Sequence, residues 1–170
     1  MANVTHFNQC LDKGLDFERN AATKILHQLY PNYWINNFAK DPQSKYGPRM
    51  YKGAEMEDEI VLPDFQLFHP RYMTIMWVDA KLKKQHYSDQ SASRPGEPFL
   101  TLDTKSNIKY LKAMKELPGV LFLLYGLEST RQVYLVEWNP EPETVEYNNR
   151  FGSGPAPIYY IDEMKHVGTF

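Results

Sequence analysis

The sequence predicts an α/β domain with a central mixed β-sheet flanked by helices. Three observations predict it: one segment repeats apolar residues at helical spacing, two apolar strand-like runs enclose a tight turn, and a second helical segment precedes two more strands. The chain has 170 residues, of which 42% are hydrophobic and 24% charged, and this suits one folded unit with its own core. We therefore expect residues 1–170 to form a single domain.

The first helix is predicted over residues 15–29, where apolar side chains recur close to the helical repeat and Pro31 then ends the pattern. A short strand is predicted at residues 33–35. Residues 60–68 and 73–82 are apolar runs of strand type, joined by a turn that contains His and Pro. They predict an antiparallel hairpin.

The second half of the chain predicts a long loop, a helix and two strands. Residues 85–103 lack periodicity and are rich in Ser, Pro and Gly, as expected for a loop. Asp103 or Thr104 is placed to cap a helix that Pro118 and Gly119 end. The apolar stripe of this helix is Ile108, Leu111, Ala113, Met114 and Leu117.

Two strands and a C-terminal extension complete the predicted domain. Residues 120–125 form a continuous apolar run, typical of a buried strand, and residues 132–138 form another strand. Residues 139–170 are expected to add a strand around residues 158–161 and a short helix.

Cysteine usage and charge exclude several classes of protein. Cys10 is the single cysteine, which excludes an internal disulfide framework and a cysteine-rich zinc site and indicates a reducing compartment. No stretch approaches the ~18 apolar residues of a membrane helix, and the N-terminus lacks the signature of a signal peptide. We expect a cytoplasmic protein with no membrane partner. Because the net charge is −2, any surface for nucleic acid must be a local basic face.

Three polar side chains interrupt the predicted hairpin. Asp79 and Lys81 are two positions apart and share a face of their strand, and Asp64 lies on the other strand. A register in which opposed residue numbers have an odd sum sets Asp64 against Trp77 or Asp79, whereas an even sum separates the carboxylates onto opposite faces. The turn permits the odd registers.

Two adjacent carboxylates repel each other unless a cation lies between them. Hard oxygen ligands, without cysteine or a helical histidine pair, favour Mg²⁺ or Mn²⁺ over zinc. The hairpin therefore predicts a magnesium site that polarises a phosphate and activates a bound water. Lys81 beside that water is suited to orient it or to stabilise developing charge. The alternative is a solvated strand end that carries an ordinary surface ion pair.

Pro63-Asp64 followed by Asp79-Ala80-Lys81 resembles the PD-(D/E)XK motif of restriction-endonuclease-like nucleases. The segment around Glu18 resembles the first helix of that superfamily, and the predicted order of elements is similar to its αβββαβ core. The resemblance covers roughly residues 13–138.

The resemblance implies a restriction-endonuclease-like fold and a Mg²⁺-dependent DNA endonuclease that leaves a 5′-phosphate, with Mn²⁺ as a substitute. It implies that Asp64 and Asp79 ligate the metal together with the Ala80 carbonyl, that Lys81 assists the attacking water, and that Glu18 is an outer member of the catalytic set. Some relatives contact nucleic acid through a Gln and a Tyr on the helix after the third strand. Tyr110 matches that Tyr, whereas Ser106 stands in place of the Gln.

Two basic segments, residues 81–86 and the lysines at 105, 109 and 112, are candidates for phosphate contacts. A solvated surface is the competing explanation.

The acidic run at residues 55–59 is either a solvated edge or a further approach to the metal. Cleavage of both DNA strands favours a homodimer or a higher oligomer. The alternative functions are a Holliday-junction or branched-DNA resolvase and a catalytically inactive module that binds nucleic acid or protein. The expected DNA-binding residues are Lys83, Lys84, Lys105, Lys109 and Tyr110.

Overall fold

The computed structural model describes residues 9–10, 12–38, 49–52, 58–149 and 152–170. It confirms the α/β class, with a mixed central sheet accompanied by helices. Within the described residues, no helix is long and apolar enough to cross a membrane.

The predicted first helix is present but not uniform. Residues 12–16 are α-helical, Phe17–Ala22 form a π-helical segment, and the α-helix resumes as α1, Thr23–Leu29. The Thr23 hydroxyl donates to the Arg19 carbonyl over 3.0 Å. A π-helical turn inside an α-helix often accompanies a functional site.

The first half of the chain contains more strands than the sequence predicts. Residues 60–68 were expected as one strand, but residues 62–64 divide them into two strands that belong to different sheets. Pro63 lacks the backbone N–H that a continuous ladder needs. The strands are β1 (Trp34–Asn37), β2 (Arg49–Lys52), β3 (Asp58–Val61), β4 (Phe65–His69), β5 (Thr74–Lys83) and β6 (Phe99–Thr101).

Strand β6 corrects the expectation that residues 85–103 form only a loop. The following helix, α2 (Thr104–Glu116), is capped by Asp103 as predicted, because the Asp103 carboxylate accepts a hydrogen bond from the Ser106 N–H over 2.8 Å. The predicted apolar stripe is partly wrong: Ile108 is 60% exposed, while Tyr110 and Ala113 are buried.

The remaining chain forms five strands, and the last of them returns to the main sheet. The expected short helix near the C-terminus is a 3₁₀ turn, Ile161–Glu163. The strands are β7 (Val120–Leu127), β8 (Gln132–Glu137), β9 (Thr144–Asn149), β10 (Gly152–Tyr160) and β11 (Lys165–Thr169).

The main sheet has six strands in the order β1-β4-β5-β7-β8-β11. Its neighbouring strands are antiparallel except β5 and β7, which are parallel and are connected through α2. Its elements therefore follow the chain as helix, three antiparallel strands, helix and a parallel strand, and then β8 and β11. A second sheet has the order β6-β10-β9, and β2 pairs with β3.

The two faces of the main sheet are covered by different elements. The π-helical segment and α1 pack on one face against Val78 and Ala80 of β5. Helix α2 packs on the other face against Trp77 of β5 and Tyr125 of β7. Since side chains alternate along a strand, Asp79 and Lys81 lie on the face covered by α2.

Arg94 ties the segment before β6 to the second sheet. Its guanidinium lies 4.3 Å above the Tyr160 ring, pairs with Glu97, and bonds to Asp162 and to Glu163, the latter over 2.9 Å. This surface cluster is called the Arg94 network below.

Candidate active site

The β4–β5 hairpin brings the two predicted carboxylates together. The register pairs Phe65 with Val78 and Gln66 with Trp77, so one further step sets Asp64 against Asp79. This is one of the two odd registers that the sequence predicts. The Asp64 carboxylate is also fixed to β5, because its Oδ2 accepts a hydrogen bond from the Ala80 N–H over 2.9 Å.

Lys81 forms a close ion pair with Asp79. Its Nζ lies 2.6 Å from Asp79 Oδ2, and it lies 5.9 Å from the centre of the Tyr110 ring. The Asp79 side chain is 7% exposed and that of Lys81 is 25% exposed. Low exposure makes this pair stronger and less screened by salt than a surface pair.

Three buried oxygens around this pair have no hydrogen-bond partner among the described residues: Asp79 Oδ2 and the hydroxyls of Tyr110 and Tyr125. Asp79 Oδ2 still has a charged partner, because the Lys81 ammonium lies 2.6 Å from it. Buried polar atoms are normally hydrogen-bonded, so unpaired hydroxyls beside two carboxylates and a lysine single out this region of the fold.

A pocket of about 140 Å³ opens over the hairpin. Lys109 and Ser106 of α2 face the two carboxylates across it, and the Asp103 cap orients Ser106. The complete lining is Val61, Leu62, Asp64, Asp79, Lys81, Ser106, Lys109 and Tyr110.

The carboxyl groups of Asp64 and Glu18 have pKa values above those of exposed carboxyl groups. Burial raises the pKa of Asp64 well above its usual value, and the nearby Asp79 carboxylate raises it further, while Lys81 and the Ala80 N–H oppose the change. Burial also raises the pKa of Glu18 to about 7, with Lys81 opposing and Asp79 adding to the shift. Burial and the neighbouring negative charge therefore both favour the protonated, neutral forms of Asp64 and Glu18.

Lys81 remains an ammonium group at neutral pH. Burial lowers its pKa, but the Asp79 carboxylate and then Tyr110 and Asp64 raise it by more, so that it lies well above the usual lysine value. Burial and Asp79 together raise the pKa of the Tyr110 hydroxyl, which is therefore neutral.

Glu18 approaches this group from the other face of the sheet. Its pKa responds to Lys81 and Asp79, although its side chain does not line the pocket. Among the described residues, no group of three or more His, Cys, Asp and Glu side chains is arranged to hold a metal ion. Residues 55–57 of the acidic run lie outside the described residues, and residues 58–59 belong to β3.

The residues expected to bind DNA fall into two groups. Lys84, Lys105 and Lys109 are exposed. Lys83 is half-buried, and burial lowers its pKa to about 8. Tyr110 is only 4% exposed, so it forms a wall of the pocket and does not lie on the surface.

Sequence reasoning missed Tyr125 and the place of Lys109 in the pocket. Tyr125 lies in an apolar run that is typical of a buried core strand. It lies opposite Lys81 only because β5 and β7 pair in parallel, which the local sequence does not indicate.

No protein-family model matches this chain, and no curated protein matches its sequence significantly. The fold and the site define a mixed α/β protein with two carboxylates and a lysine in one pocket. The resemblance to PD-(D/E)XK nucleases rests on these residues and on the order of the elements that carry them.

Proposed function

We propose that this chain is a divalent-cation-dependent nuclease that hydrolyses phosphodiester bonds of DNA at the Asp64, Asp79 and Lys81 pocket. The observation that carries the proposal is the register of β4 with β5, which sets Asp64 against Asp79 on the face that carries Lys81. These are the residues of the resembled motif, and they line one pocket. The order of elements in the main sheet supports the same resemblance.

The donors in the pocket fit Mg²⁺, with Mn²⁺ as a substitute. Both side chains offer hard carboxylate oxygens in one pocket, and the Asp79 carboxylate adds to the raised pKa of Asp64, a repulsion that a bound cation would relieve. Asp64, Asp79 and the Ala80 carbonyl would hold the ion. Such an ion neutralises charge on a phosphate and lowers the pKa of a bound water.

The other side chains bind and orient the substrate. Because its pKa is raised, Lys81 acts as a fixed cation that orients water and stabilises negative charge, and it is not a proton acceptor. Lys109 lines the pocket from α2 and is placed to contact a phosphate, and the exposed Lys105 lies one helical turn before it on the same side of α2. Glu18 acts from outside the pocket, through its charge.

A second candidate is a nuclease-like module that binds nucleic acid without cutting it. It is favoured by the small donor set, since the described residues contain no group of three metal-binding side chains. The Asp79 and Lys81 ion pair would then be a permanent part of the fold.

Incubation of supercoiled plasmid with the full chain distinguishes the two candidates. We expect wild type to nick and linearise the plasmid in Mg²⁺ or Mn²⁺ and not with chelator. Lys81→Ala should lose about 10²–10³-fold in rate, the cost of removing one stabilising donor. Lys165→Ala, which removes an exposed lysine on β11, should cleave normally.

Folded wild type that leaves intact, in both metals, the plasmid and a branched DNA with a single-stranded segment would reject the nuclease and favour the non-catalytic module. Equal cleavage by wild type and Lys81→Ala would reject the pocket as the active site.

A further inference from the structure

The sheet face that carries Asp64 continues beyond the pocket to the outer strand β1. Asp64, Gln66 and Phe68 follow one another at intervals of two residues, and their side chains therefore lie on one face of the sheet. The register of β1 with β4 pairs Asn36 with Gln66 and Trp34 with Phe68. Directly opposed residues of antiparallel strands share a face, so all five side chains form one row.

Trp34 provides a large aromatic surface at the far end of this row. It is 71% exposed. The Phe68 ring meets it edge to face, with centroids 6.4 Å apart and planes at 70°. This contact orients the indole and leaves most of its area open to a flat ligand.

An uncharged amide pair lies between the aromatic pair and the pocket. Asn36 Nδ2 donates to Gln66 Oε1 over 3.0 Å. This bond leaves Gln66 Nε2 and Asn36 Oδ1 to meet the donors and acceptors of a base edge. Between Asp64 and Trp34 the row has no carboxylate that would repel a phosphate, and Lys109 stands at its pocket end.

We propose that Trp34, Phe68, Asn36 and Gln66 form a stacking surface for an unpaired stretch of nucleic acid that leads into the pocket. The proposal rests on the proposed function and specifies its substrate as DNA with a single-stranded segment beside the cut. Flat aromatic groups bind base faces, which are accessible in an unpaired strand and covered in a duplex.

The length of the row suits this substrate. Asp64 and Phe68 are four residue steps apart, which is about 13 Å at the usual rise of a strand. That distance equals about four nucleotide steps at duplex spacing and fewer in an extended single strand.

The test measures binding of the full chain to an oligothymidylate of about 12 nucleotides, in chelator so that no cleavage occurs. We expect quenching of tryptophan fluorescence that is lost in Trp34→Ala, because Trp34 is exposed while Trp77 is 3% exposed and Trp138 is half-buried with its indole N–H bonded to Asn107. Trp34→Ala should weaken binding about tenfold by anisotropy, and Trp34→Phe should retain most of it. A blunt duplex of equal length should bind both variants as it binds wild type.

Tyr72→Ala is the matched control. Tyr72 is 65% exposed, but it stacks on His69, which alternates away from the face of Phe68. This variant should bind the oligothymidylate normally.

Undiminished oligothymidylate binding by Trp34→Ala would overturn the stacking surface. A loss of self-association in sedimentation without any change in oligonucleotide binding would also overturn it, and would identify β1 as an interface between copies. Trp34-dependent binding by a chain that cuts no DNA would support the surface and reject the nuclease. Normal DNA cleavage, together with oligothymidylate binding that does not depend on Trp34, would support the nuclease and reject the stacking surface.

Discussion

Lys81 and Arg94 each face several carboxylates, one inside a pocket and the other on the surface beside the second sheet. The Asp79 partner of Lys81 is 7% exposed, whereas the Asp162 partner of Arg94 is 63% exposed. In the Arg94 network, the hydrogen bond to Arg94 lowers the pKa of Asp162. In the pocket, burial and like charge raise the pKa of Asp64 instead.

The difference separates a structural cluster from a functional one. Asp162 and Glu163 pair with Arg94 and stay exposed to solvent, so they keep their hydration. These pairs therefore hold the segment before β6 in place with little loss of solvation energy. The Asp64 carboxylate is costly to keep ionised, because its pKa is raised, and a fold retains such a cost mainly where it serves a site.

The largest expected effect comes from removing a pocket carboxylate. Asp79→Ala should reduce plasmid cleavage by about 10²–10³-fold or more, because a metal ligand and the partner of Lys81 disappear together. The variant should remain folded with a lowered melting temperature, because Lys81 loses its buried partner and relief of repulsion at Asp64 offsets only part of that loss.

Asp162→Ala removes a carboxylate of the Arg94 network and should cleave like wild type. Wild-type activity in Asp79→Ala, with the protein correctly folded, would contradict the assignment of the pocket.

Glu18→Gln should change the pH dependence of stability. The folded-state pKa of about 7 lies above the usual 4.5, so the folded state binds a proton more tightly than the unfolded state. The free energy of unfolding therefore falls as pH rises from about 4.5 to 7, and above pH 7 the folded state carries the whole cost of an ionised, buried Glu18. The variant should be more stable than wild type by about 1–3 kcal/mol at pH 8 and little changed at pH 4.

Urea unfolding across this pH range measures the effect of Glu18→Gln. Glu146→Gln, which alters an exposed carboxylate on β9, should follow wild type. A Glu18→Gln profile that is parallel to wild type would show that this carboxyl group ionises normally.

The smallest effect is expected from Arg94→Ala. It should increase hydrogen exchange and proteolysis within residues 85–98, because that segment loses its contacts with Tyr160, Asp162 and Glu163. The difference from wild type should shrink in high salt, which screens the exposed pairs. Cleavage should be unaffected, and a large loss of cleavage would mean that the two clusters are coupled.

Local signals predict much of the fold. The β4–β5 hairpin, α2 with its Asp103 cap, and strands β7 and β8 all follow from apolar spacing and turn or cap residues. The interruption at Pro63 was missed because apolar residues continue on both sides of it. In β10, the prolines suggest a loop, yet residues 152–157 pair only with β9, and a strand with one neighbour tolerates proline.

The site was predictable only in its local part. Two strands and the turn between them predict that Asp64 lies opposite Trp77 or Asp79, and the observed register selects Asp79. The burial of Tyr110 and the placement of Tyr125 beside Lys81 depend on the crossover through α2, and no local pattern reports such long-range packing. Ile108 shows the same limit, since helical spacing identifies a stripe but not which part of it meets the core.

The β4–β5 hairpin carries both acids and the lysine on one contiguous piece of chain. Tyr110 and Tyr125 join them only when β7 pairs with β5 across the intervening helix. Hairpins close within about 1–10 μs, whereas contacts between distant parts of a chain form more slowly. We expect the acid pair to assemble early in folding, in contact with water, and to become electrostatically costly only when the last long-range contacts enclose it.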